Sequence, residues 1–291
     1  MQILRSTKEM QALCRKFREQ GKQIGLVPTM GALHAGHLSL LRAARESCDV
    51  VAVTIFVNPT QFGPNEDFAK YPRTFEQDCA LLEAEHADLV FAPTAEEMYP
   101  DGSSTFVVVE GVSDRLDGAS RPGHFRGVTT VVNKLFNIAC PQRAFFGQKD
   151  AAQVAVLRKM IRDLNMNVEL VVCPIVREAD GLALSSRNKR LTPAERAIAP
   201  VLSRALREAL QLIDEGERSV ARVQEEATRL LTRHPEVRVE YFSVTDPETL
   251  TPVKRIEGPV LIAGAIWLGS VRLIDNLAWQ QRGARTNGVA C

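Results

Sequence analysis

Long hydrophobic runs are missing from this sequence of 291 residues. The longest one, residues 50–57, is far shorter than the roughly 20 residues that a helix needs to cross a bilayer. Charged side chains such as Arg5, Lys8 and Glu9 interrupt the N-terminal region, so no apolar signal core can form there. We therefore expect no membrane partner and no targeting segment.

Closely spaced cysteines and an excess of charge are also missing. The six cysteines are scattered without a Cys-x-x-Cys pair, whereas disulfide frameworks and zinc sites need short, regular spacings. We expect reduced thiols and a cytoplasmic location. The 36 basic residues nearly balance the 35 acidic ones, which gives a net charge of +1. Because nucleic-acid binders gain much of their affinity from a basic surface, we expect a small-molecule partner and no nucleic acid.

What the sequence does contain is an alternation of strand and helix patterns through its first 175 residues. Short apolar runs such as residues 24–28 and 50–57 alternate with amphipathic stretches such as residues 36–47. Apolar strands of this kind are buried on both faces of a parallel sheet. The alternation predicts an α/β fold, a Rossmann-like doubly wound parallel sheet with helices on both faces.

The pattern changes after the alternating region. Thr192, Pro193 and Glu195 form a complete helix start signal, with Thr192 as N-cap and Glu195 closing a capping box. A further helix is predicted at residues 219–232, followed by strands at residues 238–244, 260–267 and 271–275. Helices followed by strands are typical of an α+β domain. We therefore predict a larger domain over residues 1–175 and a smaller α+β domain over residues 176–291.

Residues 28–38, which read PTMGALHAGHL, follow an early predicted strand and open the next helix. Ligands of an open parallel sheet bind at the carboxyl ends of strands, where helix N-termini offer free N–H groups. His34 and His37 are three residues apart, so their imidazoles point the same way if the turn is helical. Gly31 and Gly36 allow a ligand to approach the backbone closely. These features suit the triphosphate of a nucleotide.

Three other interpretations of this segment can be compared. The spacing from Gly31 to Gly36 resembles a P-loop, but His37 and Leu38 replace the Lys and Ser/Thr that a Walker motif requires. A zinc site needs a third ligand, and none lies at a recognised spacing. Two loop histidines with a purely structural role are as compatible with the residues as a nucleotide site is. The segment alone leaves those two interpretations open.

Several segments together resemble one enzyme family. The His-x-Gly-His pattern after a first strand is similar to the nucleotide-binding motif of the nucleotidyltransferase superfamily. More specifically, the chain resembles the pantothenate synthetase, or pantoate–beta-alanine ligase, family as far as about Asn276. The matching segments are PTMGALH at 28–34, FVNPTQFG at 56–63, YPRT at 71–74, FFGQKD at 145–150 and DGLALSSRN at 180–188.

The resemblance implies an ATP-dependent, AMP-forming ligase of vitamin B5 and coenzyme A biosynthesis. The carboxylate of pantoate attacks the α-phosphorus of ATP, giving pantoyl adenylate and diphosphate, and the amine of β-alanine then displaces AMP. A carboxylate and an amine alone only form a salt in water, whereas AMP is a good leaving group. Catalysis is then mainly positioning and charge stabilisation around the α-phosphorus.

The resemblance also implies the roles of individual residues. His34, His37 and Lys149 are implied to be catalytic, and Gln61 and Gln153 to hold the substrates pantoate and β-alanine. The family treats the position of His37 as a proton donor, but we interpret both histidines as electrostatic stabilisers, because a diphosphate leaving group on magnesium needs little acid. The residues implied to contact ATP are Pro28, Thr29, Met30, Gly31, Ala32, Leu33, His34, Ala35, Gly36, His37, Gly147, Gln148, Lys149, Asp150, Val176, Leu184, Ser185, Ser186 and Arg187.

Without the resemblance, the candidate positions after residue 148 have simpler interpretations. Lys149 and Asp150 can form an exposed ion pair between neighbours, which carries little information. Gln153 lies near the start of a predicted helix, and this pattern alone favours a solvent-facing position for its side chain. Residues 185–187 offer two hydroxyls and a guanidinium that suit the β and γ phosphates, but they would also serve as an interdomain linker.

The remaining implications concern cofactors and assembly. No Asp-rich motif marks a magnesium site, so we expect Mg²⁺ to be carried with ATP, and no metal ligand is assigned. The family implies a homodimer, with residues 1–175 binding ATP and pantoate and residues 176–291 acting as a lid over ATP. Ala35 and Gln148 stand where the family often has Glu, and Ala151 and Ala152 replace larger residues.

Two alternative functions stay open from the sequence. A nucleotidyltransferase that transfers a nucleotide to a phosphorylated substrate would share the His-x-Gly-His site but would have little use for Gln61. A binding or regulatory protein on the same fold would be expected to lose phosphate-contacting residues, and here they are all present.

Overall fold

A computed structural model of the chain describes residues 1–64, 66 and 68–281. Its contacts divide the chain into two compact units, one of Met1–Gly147 with Val156–Pro174 and one of Gln148–Ala155 with Ile175–Cys291. The short segment Gln148–Ala155 thus belongs with the later residues. The lid role of the second unit stays a prediction.

The first unit is built on a six-stranded sheet. Its strands are β1 (Gln2–Leu4), β2 (Ile24–Thr29), β3 (Val50–Ile55), β4 (Leu89–Phe91), β5 (Arg143–Gly147) and β6 (Glu169–Cys173). The spatial order is β1-β4-β3-β2-β5-β6, and every neighbouring pair is parallel. The chain winds from β2 to β3 and β4 on one side and to β5 and β6 on the other. The ends of β2 and β5 therefore mark the switch point at which ligands bind in such sheets.

Helices alternate with these strands along the chain. They are α1 (Thr7–Glu19), α2 (Ala35–Ser47), α3 (Phe75–Ala84), α4 (Ala95–Met98), α5 (Asp117–Ser120) and α6 (His124–Ala139). Helix α7 (Ala151–Asp163) follows β5, and its residues from Val156 onward belong to this unit. Consecutive residues of β2, including Leu26 and Val27, are buried, so both faces of the strand are covered. Burying each such aliphatic side chain stabilises the fold by about 1.5–3 kcal/mol.

The second unit combines three helices with an antiparallel sheet. The elements are α8 (Pro193–Ile198), α9 (Val201–Asp214), α10 (Val220–Leu231), β7 (Val237–Thr245), β8 (Val260–Leu268) and β9 (Val271–Trp279). The strands pair in the order β7-β8-β9. Leu206, Val223 and Ile262 belong to one continuous apolar cluster between the helices and the sheet. The predicted capping box is present: the N–H of Glu195 donates to Oγ1 of Thr192, and the N–H of Thr192 donates to the Glu195 carboxylate.

The predicted fold class is confirmed, with corrections to individual elements. Strand β1 is absent from the prediction, and β9 continues past the predicted residue 275 to Trp279. The first turn of α6 and the extension of β9 both carry residues that matter below.

Two absences can be stated for the described part of the chain. None of its helices is long and apolar enough to span a bilayer. The five cysteines within it are free thiols, and Cys291 lies outside the described residues.

Candidate active site

The turn between β2 and α2 is held in an unusual backbone conformation. Gly31 and Ala32 both have positive φ, at 80° and 52°. Thr29 fixes the start of the turn, because its Oγ1 donates to the carbonyl of Thr54 at 2.6 Å and accepts from the N–H of Gly31 at 3.2 Å. The turn therefore depends on a glycine at 31, where the left-handed region favours that residue.

Asp78 of α3 accepts hydrogen bonds from the same turn. Its two carboxylate oxygens accept from the N–H groups of Ala32 at 3.0 Å and of Leu33 at 2.8 Å, and the residue is 1% exposed. A Cβ on residue 31 would stand 2.9 Å from Asp78 Oδ2, which leaves no room for a side chain. Sequence reasoning missed Asp78. The available signal was a carboxylate four residues before the buried Leu82, on the same helical face.

His34 and His37 cap the N-terminus of α2. His34 is the N-cap residue, and its Nδ1 accepts from the N–H of Gly36 at 3.1 Å. The Nδ1 of His37 accepts from the N–H of His34 at 3.3 Å. Because a backbone N–H can only donate, each neutral imidazole carries its proton on Nε2. The two ring centroids are 4.1 Å apart, so two N–H donors stand together at the positive end of a helix.

Gln61 lies beside this corner. It ends the 3₁₀ turn Pro59–Gln61, which follows β3. Its Nε2 donates to the sulfur of Met30 at 3.3 Å, and its Oε1 accepts from Nδ2 of Asn58 at 3.1 Å. Asn58, which is 1% exposed, also donates to the carbonyl of Gly127 at 3.2 Å. The amide of Gln61 is thereby oriented next to the turn that carries the histidines.

Helix α6 packs directly on the backbone of the Gln61 turn. A Cβ added to Gly127 would lie 2.4 Å from the carbonyl oxygen of Thr60 and 2.6 Å from the Cα of Gln61. No larger residue fits at position 127 unless the helix or the turn moves. Glycine is unfavourable inside a helix, and this contact explains why position 127 has one. The sequence alone gives no sign of the contact.

The carbonyl of Gln61 is held by a chain of polar side chains. Arg121 binds the carboxylate of Glu66 with two hydrogen bonds of 2.7 and 2.6 Å and lies 3.0 Å from Nε2 of His124. Because a guanidinium can only donate, Nε2 of His124 accepts, and its Nδ1–H donates to the Gln61 carbonyl at 2.8 Å. Burial, with the charge of Arg121 as a second cause, lowers the pKa of His124 to about 4.

The elements implied to contact the nucleotide in the second unit lie in two loops. The first is the 3₁₀ turn Gln148–Asp150, which follows β5 and in which Lys149 Nζ stands 3.8 Å from Asp150 Oδ1. Gln153 lies in the first turn of α7 and is half-buried, whereas a solvent-facing position was favoured by pattern alone. Ala151 and Ala152 are buried, at 8% and 1% exposed.

The second loop is a short hairpin over residues 176–184. The N–H of Leu184 donates to the carbonyl of Val176 at 3.0 Å, and Arg177 forms an antiparallel bridge with Ala183. The 3₁₀ turn Ser186–Arg190 follows, with Ser185 Oγ accepting from the N–H of Arg187 at 3.2 Å. The hairpin brings Val176 next to Leu184, directly before the turn that carries the two serines and the arginine.

The structure thus brings the residues together in two sets. In the first unit, the corner with His34 and His37 lies beside Gln61, and Gly147 ends β5, the hydrogen-bonded neighbour of β2. In the second unit, the second set consists of the turn Gln148–Asp150 with the start of α7, and of the 176–184 hairpin with the turn that follows it. Within the described residues, no three His, Cys, Asp or Glu side chains are grouped to hold a metal ion.

The lowered pKa of His124 predicts a loss of stability in mild acid. The unfolded chain takes up the proton first as pH falls, since its histidine has the ordinary pKa of about 6.5. This residue's contribution, roughly 3 kcal/mol at most, is therefore fully present above about pH 6.5 and is lost as pH falls towards 4. The charged groups that face the ring are Arg121, Glu66 and Asp117.

Urea unfolding of the wild type and of His124→Asn between pH 4.5 and 7 measures this contribution. We expect a shallower pH dependence in the variant, whose amide keeps a donor for the Gln61 carbonyl but does not titrate. Equal slopes would contradict the buried neutral histidine.

Comparison with known proteins identifies one family over nearly the whole chain. The family model described as pantoate-beta-alanine ligase matches residues 2–278. The pantothenate synthetase of Koribacter versatilis (strain Ellin345) is 56% identical over 291 residues, covering 99% of this chain and 100% of that protein. The pantothenate synthetase of Acidobacterium capsulatum is 61% identical over 256 residues, covering 88% of this chain and 86% of that protein.

Solved structures give the same result. The crystal structure of pantothenate synthetase from Thermus thermophilus superposes with a TM-score of 0.91 at 46% identity, covering 95% of this chain and 99% of that one. Pantoate-beta-alanine ligase from Francisella tularensis, complexed with beta-gamma ATP and beta-alanine, has a TM-score of 0.77 at 35% identity, covering 95% and 97%. The corner built by Thr29, Asp78 and the paired imidazoles is thus part of a known enzyme fold, and the chain belongs to the pantoate–beta-alanine ligase family.

Proposed function

We propose that the corner between β2 and α2 holds the triphosphate of ATP while pantoate attacks the α-phosphorus. The overall activity follows from family membership: the chain is an AMP-forming ligase that condenses pantoate with β-alanine through pantoyl adenylate. The observation that supports the placement is the pair of Nε2–H donors of His34 and His37 at the N-terminus of α2.

In the first step, a carboxylate oxygen of pantoate forms a bond to the α-phosphorus, and the bond from that phosphorus to diphosphate breaks. The leaving diphosphate takes the electron pair, so negative charge grows on the phosphoryl oxygens. Donors that are already oriented stabilise this charge without reorganisation. Both imidazoles meet that condition, since their Nδ1 atoms are bound to backbone N–H groups. We assign them as electrostatic stabilisers that donate but do not release a proton.

In the second step, the neutral amine of β-alanine attacks the acyl carbon of pantoyl adenylate. The new C–N bond forms the amide, the bond from that carbon to AMP breaks, and the amine nitrogen loses a proton. We assign Gln61 and Gln153 to the substrates, because an amide can accept from a hydroxyl and donate to a carboxylate at the same time. The fixed orientation of Gln61 between Asn58 and Met30 supports its part of this assignment.

The second unit supplies the other proposed ATP contacts. We assign Lys149 to phosphate, Asp150 with Gly147 to the ribose, and the main chain of Val176 to adenine. The β and γ phosphates are assigned to the two hydroxyls and the guanidinium of residues 185–187, where the guanidinium gives fork-like contacts. These roles come from the family pattern, and the hairpin that places Val176 next to Leu184 supports the adenine contact.

Four further features belong to the proposal: the carriage of Mg²⁺, the location, the homodimer and the lid. Mg²⁺ is carried on ATP oxygens, where it neutralises phosphate charge, and no protein ligand is assigned to it. The protein acts in the cytoplasm as a homodimer. Phe106 and Val108, 39% and 57% exposed, are apolar side chains of the kind that a partner copy covers. The second unit closes over ATP as a lid.

The function is tested by measuring AMP release from ATP, pantoate and β-alanine with each substrate omitted in turn. We expect release only with all three, and ATP–diphosphate exchange that requires pantoate but not β-alanine. Exchange driven by a phosphorylated sugar or nucleotide would favour a nucleotidyltransferase instead. Binding of ATP without exchange would favour a regulatory protein.

The donor role of His37 predicts different results for two amide substitutions. His37→Asn keeps an acceptor at the position of Nδ1 for the helix cap but lacks a donor at the position of Nε2. His37→Gln places an N–H near the position of Nε2. We expect His37→Asn to lower the rate of pantoate-dependent exchange by about 10²–10³-fold, and His37→Gln to recover part of it. His234→Ala, a histidine outside the proposed site, is the control, and equal rates for the two amides would contradict the donor role.

The close contact at Gly127 predicts a defect in substrate binding. Gly127→Ala forces the Gln61 turn away from α6, since the added Cβ overlaps the Thr60 carbonyl. We expect kcat/KM for pantoate to fall about 10- to 100-fold. Gly258→Ala, at a position where a Cβ meets nothing within 4 Å, is the matched control. Unchanged pantoate kinetics in folded Gly127→Ala would disconnect Gln61 from pantoate.

A further inference from the structure

We propose that Asp275 and Asn276 of β9 are positioning residues that fix both nucleotide loops of the second unit. Asn276 holds the Lys149 turn, and Asp275 holds the 176–184 hairpin. The inference rests on the proposed function of Lys149 and Arg187, because it concerns how their loops are held.

Asn276 is bound to the Lys149 turn through its whole side chain. Its Nδ2 donates to the carbonyls of Gln148 at 2.9 Å and of Lys149 at 3.0 Å, and its Oδ1 accepts from Nε2 of Gln148 at 2.9 Å. The residue is 2% exposed. Two of the three bonds are to main-chain atoms of the turn. They therefore fix the backbone from which the Lys149 side chain extends.

Asp275 is bound in the same way to the hairpin. Its two carboxylate oxygens receive Nη1 of Arg177 at 2.6 Å and Nη2 at 2.8 Å, and the residue is 4% exposed. The guanidinium also donates to the carbonyl of Gly181 at 3.0 Å and to Ser203 Oγ at 3.3 Å. Arg177 is thus fixed to β9 and at the same time closes the hairpin that precedes residues 185–187.

Asp275 and Asn276 are also hydrogen-bonded to each other. The N–H of Asn276 donates to Asp275 Oδ1 at 2.8 Å, so the carboxylate that binds Arg177 also binds the main chain next to the amide. Residues far apart in sequence are joined at a single point of β9. At this point each loop is held by its own side chain, the Lys149 turn by Asn276 and the hairpin by Asp275.

Stability alone does not account for these residue types. A buried ion pair is often no more stabilising than well-packed apolar side chains of similar volume, because both charges lose their hydration. What charged and amide groups provide in addition is direction, since each bond has a narrow preferred geometry. Positioning of a few tenths of an ångström to 1 Å is what catalysis by oriented groups requires.

The direct test is Asn276→Asp, which keeps the shape and the acceptor but replaces the donor by an oxygen that faces two carbonyls. We expect the kcat of pantoate-dependent ATP–diphosphate exchange to fall about 10- to 100-fold, with the KM for pantoate within about twofold of wild type. Asn137→Asp, the same change at an exposed site of α6, is the control and keeps wild-type exchange. Circular dichroism checks the fold of each variant.

A double-mutant cycle separates positioning from a general loss of stability. If Asn276 acts through Lys149, the double variant Lys149→Ala with Asn276→Asp loses no more exchange activity than Lys149→Ala alone. Multiplied losses would assign Asn276 a role unconnected with Lys149 and would overturn this part of the proposal.

If Asn276→Asp fails to fold, Arg177→Lys tests the same anchor from the hairpin. It keeps a cation opposite Asp275 but loses the two-pronged contact, so we expect a several-fold rise in the KM for ATP. This rise should disappear in an Arg187→Ala background. If the wild type is active and the folded Asn276 and Arg177 variants keep full exchange activity, the positioning role of β9 is overturned and the proposed function stands. If the wild type catalyses exchange without pantoate, the proposed function itself is overturned.

Discussion

The backbone N–H groups at the turn between β2 and α2 must find acceptors, and the acceptors they find determine the chemistry of the site. Asp78 takes two of them with a buried carboxylate, and the Nδ1 atoms of His34 and His37 take two more. Since the ring nitrogens that face the backbone are acceptors, the opposite nitrogens are donors. One requirement of helix capping therefore sets the tautomer, the direction and the spacing of both histidines.

The sequence predicts the parts of the fold that depend on local pattern. Continuous apolar runs at β2 and β3 predict a covered parallel sheet, and the Thr192–Glu195 signal predicts the start of α8. Strand β1 has three residues, too few for a pattern to show. The spacing of His34 and His37 predicts that the rings lie together, but it gives neither their tautomer nor the N-cap position of His34.

Residues that act across long sequence separations could not be predicted in this way. Asp78 is bound to a turn more than 40 residues earlier, and Asn276 to a turn more than 120 residues earlier. A single sequence shows a polar residue in an otherwise apolar helix or strand, but not its partner. The roles of Lys149, Gln153 and residues 185–187 rest on the family pattern, and they remain proposals here.

The absence of a side chain at Gly127 has a consequence for motion. Where side chains lie between a helix and the chain beneath it, they can absorb small shifts by changing rotamer. At this point the backbone of α6 touches the backbone of Thr60 and Gln61 with nothing between them. The helix and the turn are therefore in direct backbone contact, so a movement of α6 along its axis would also move the amide of Gln61.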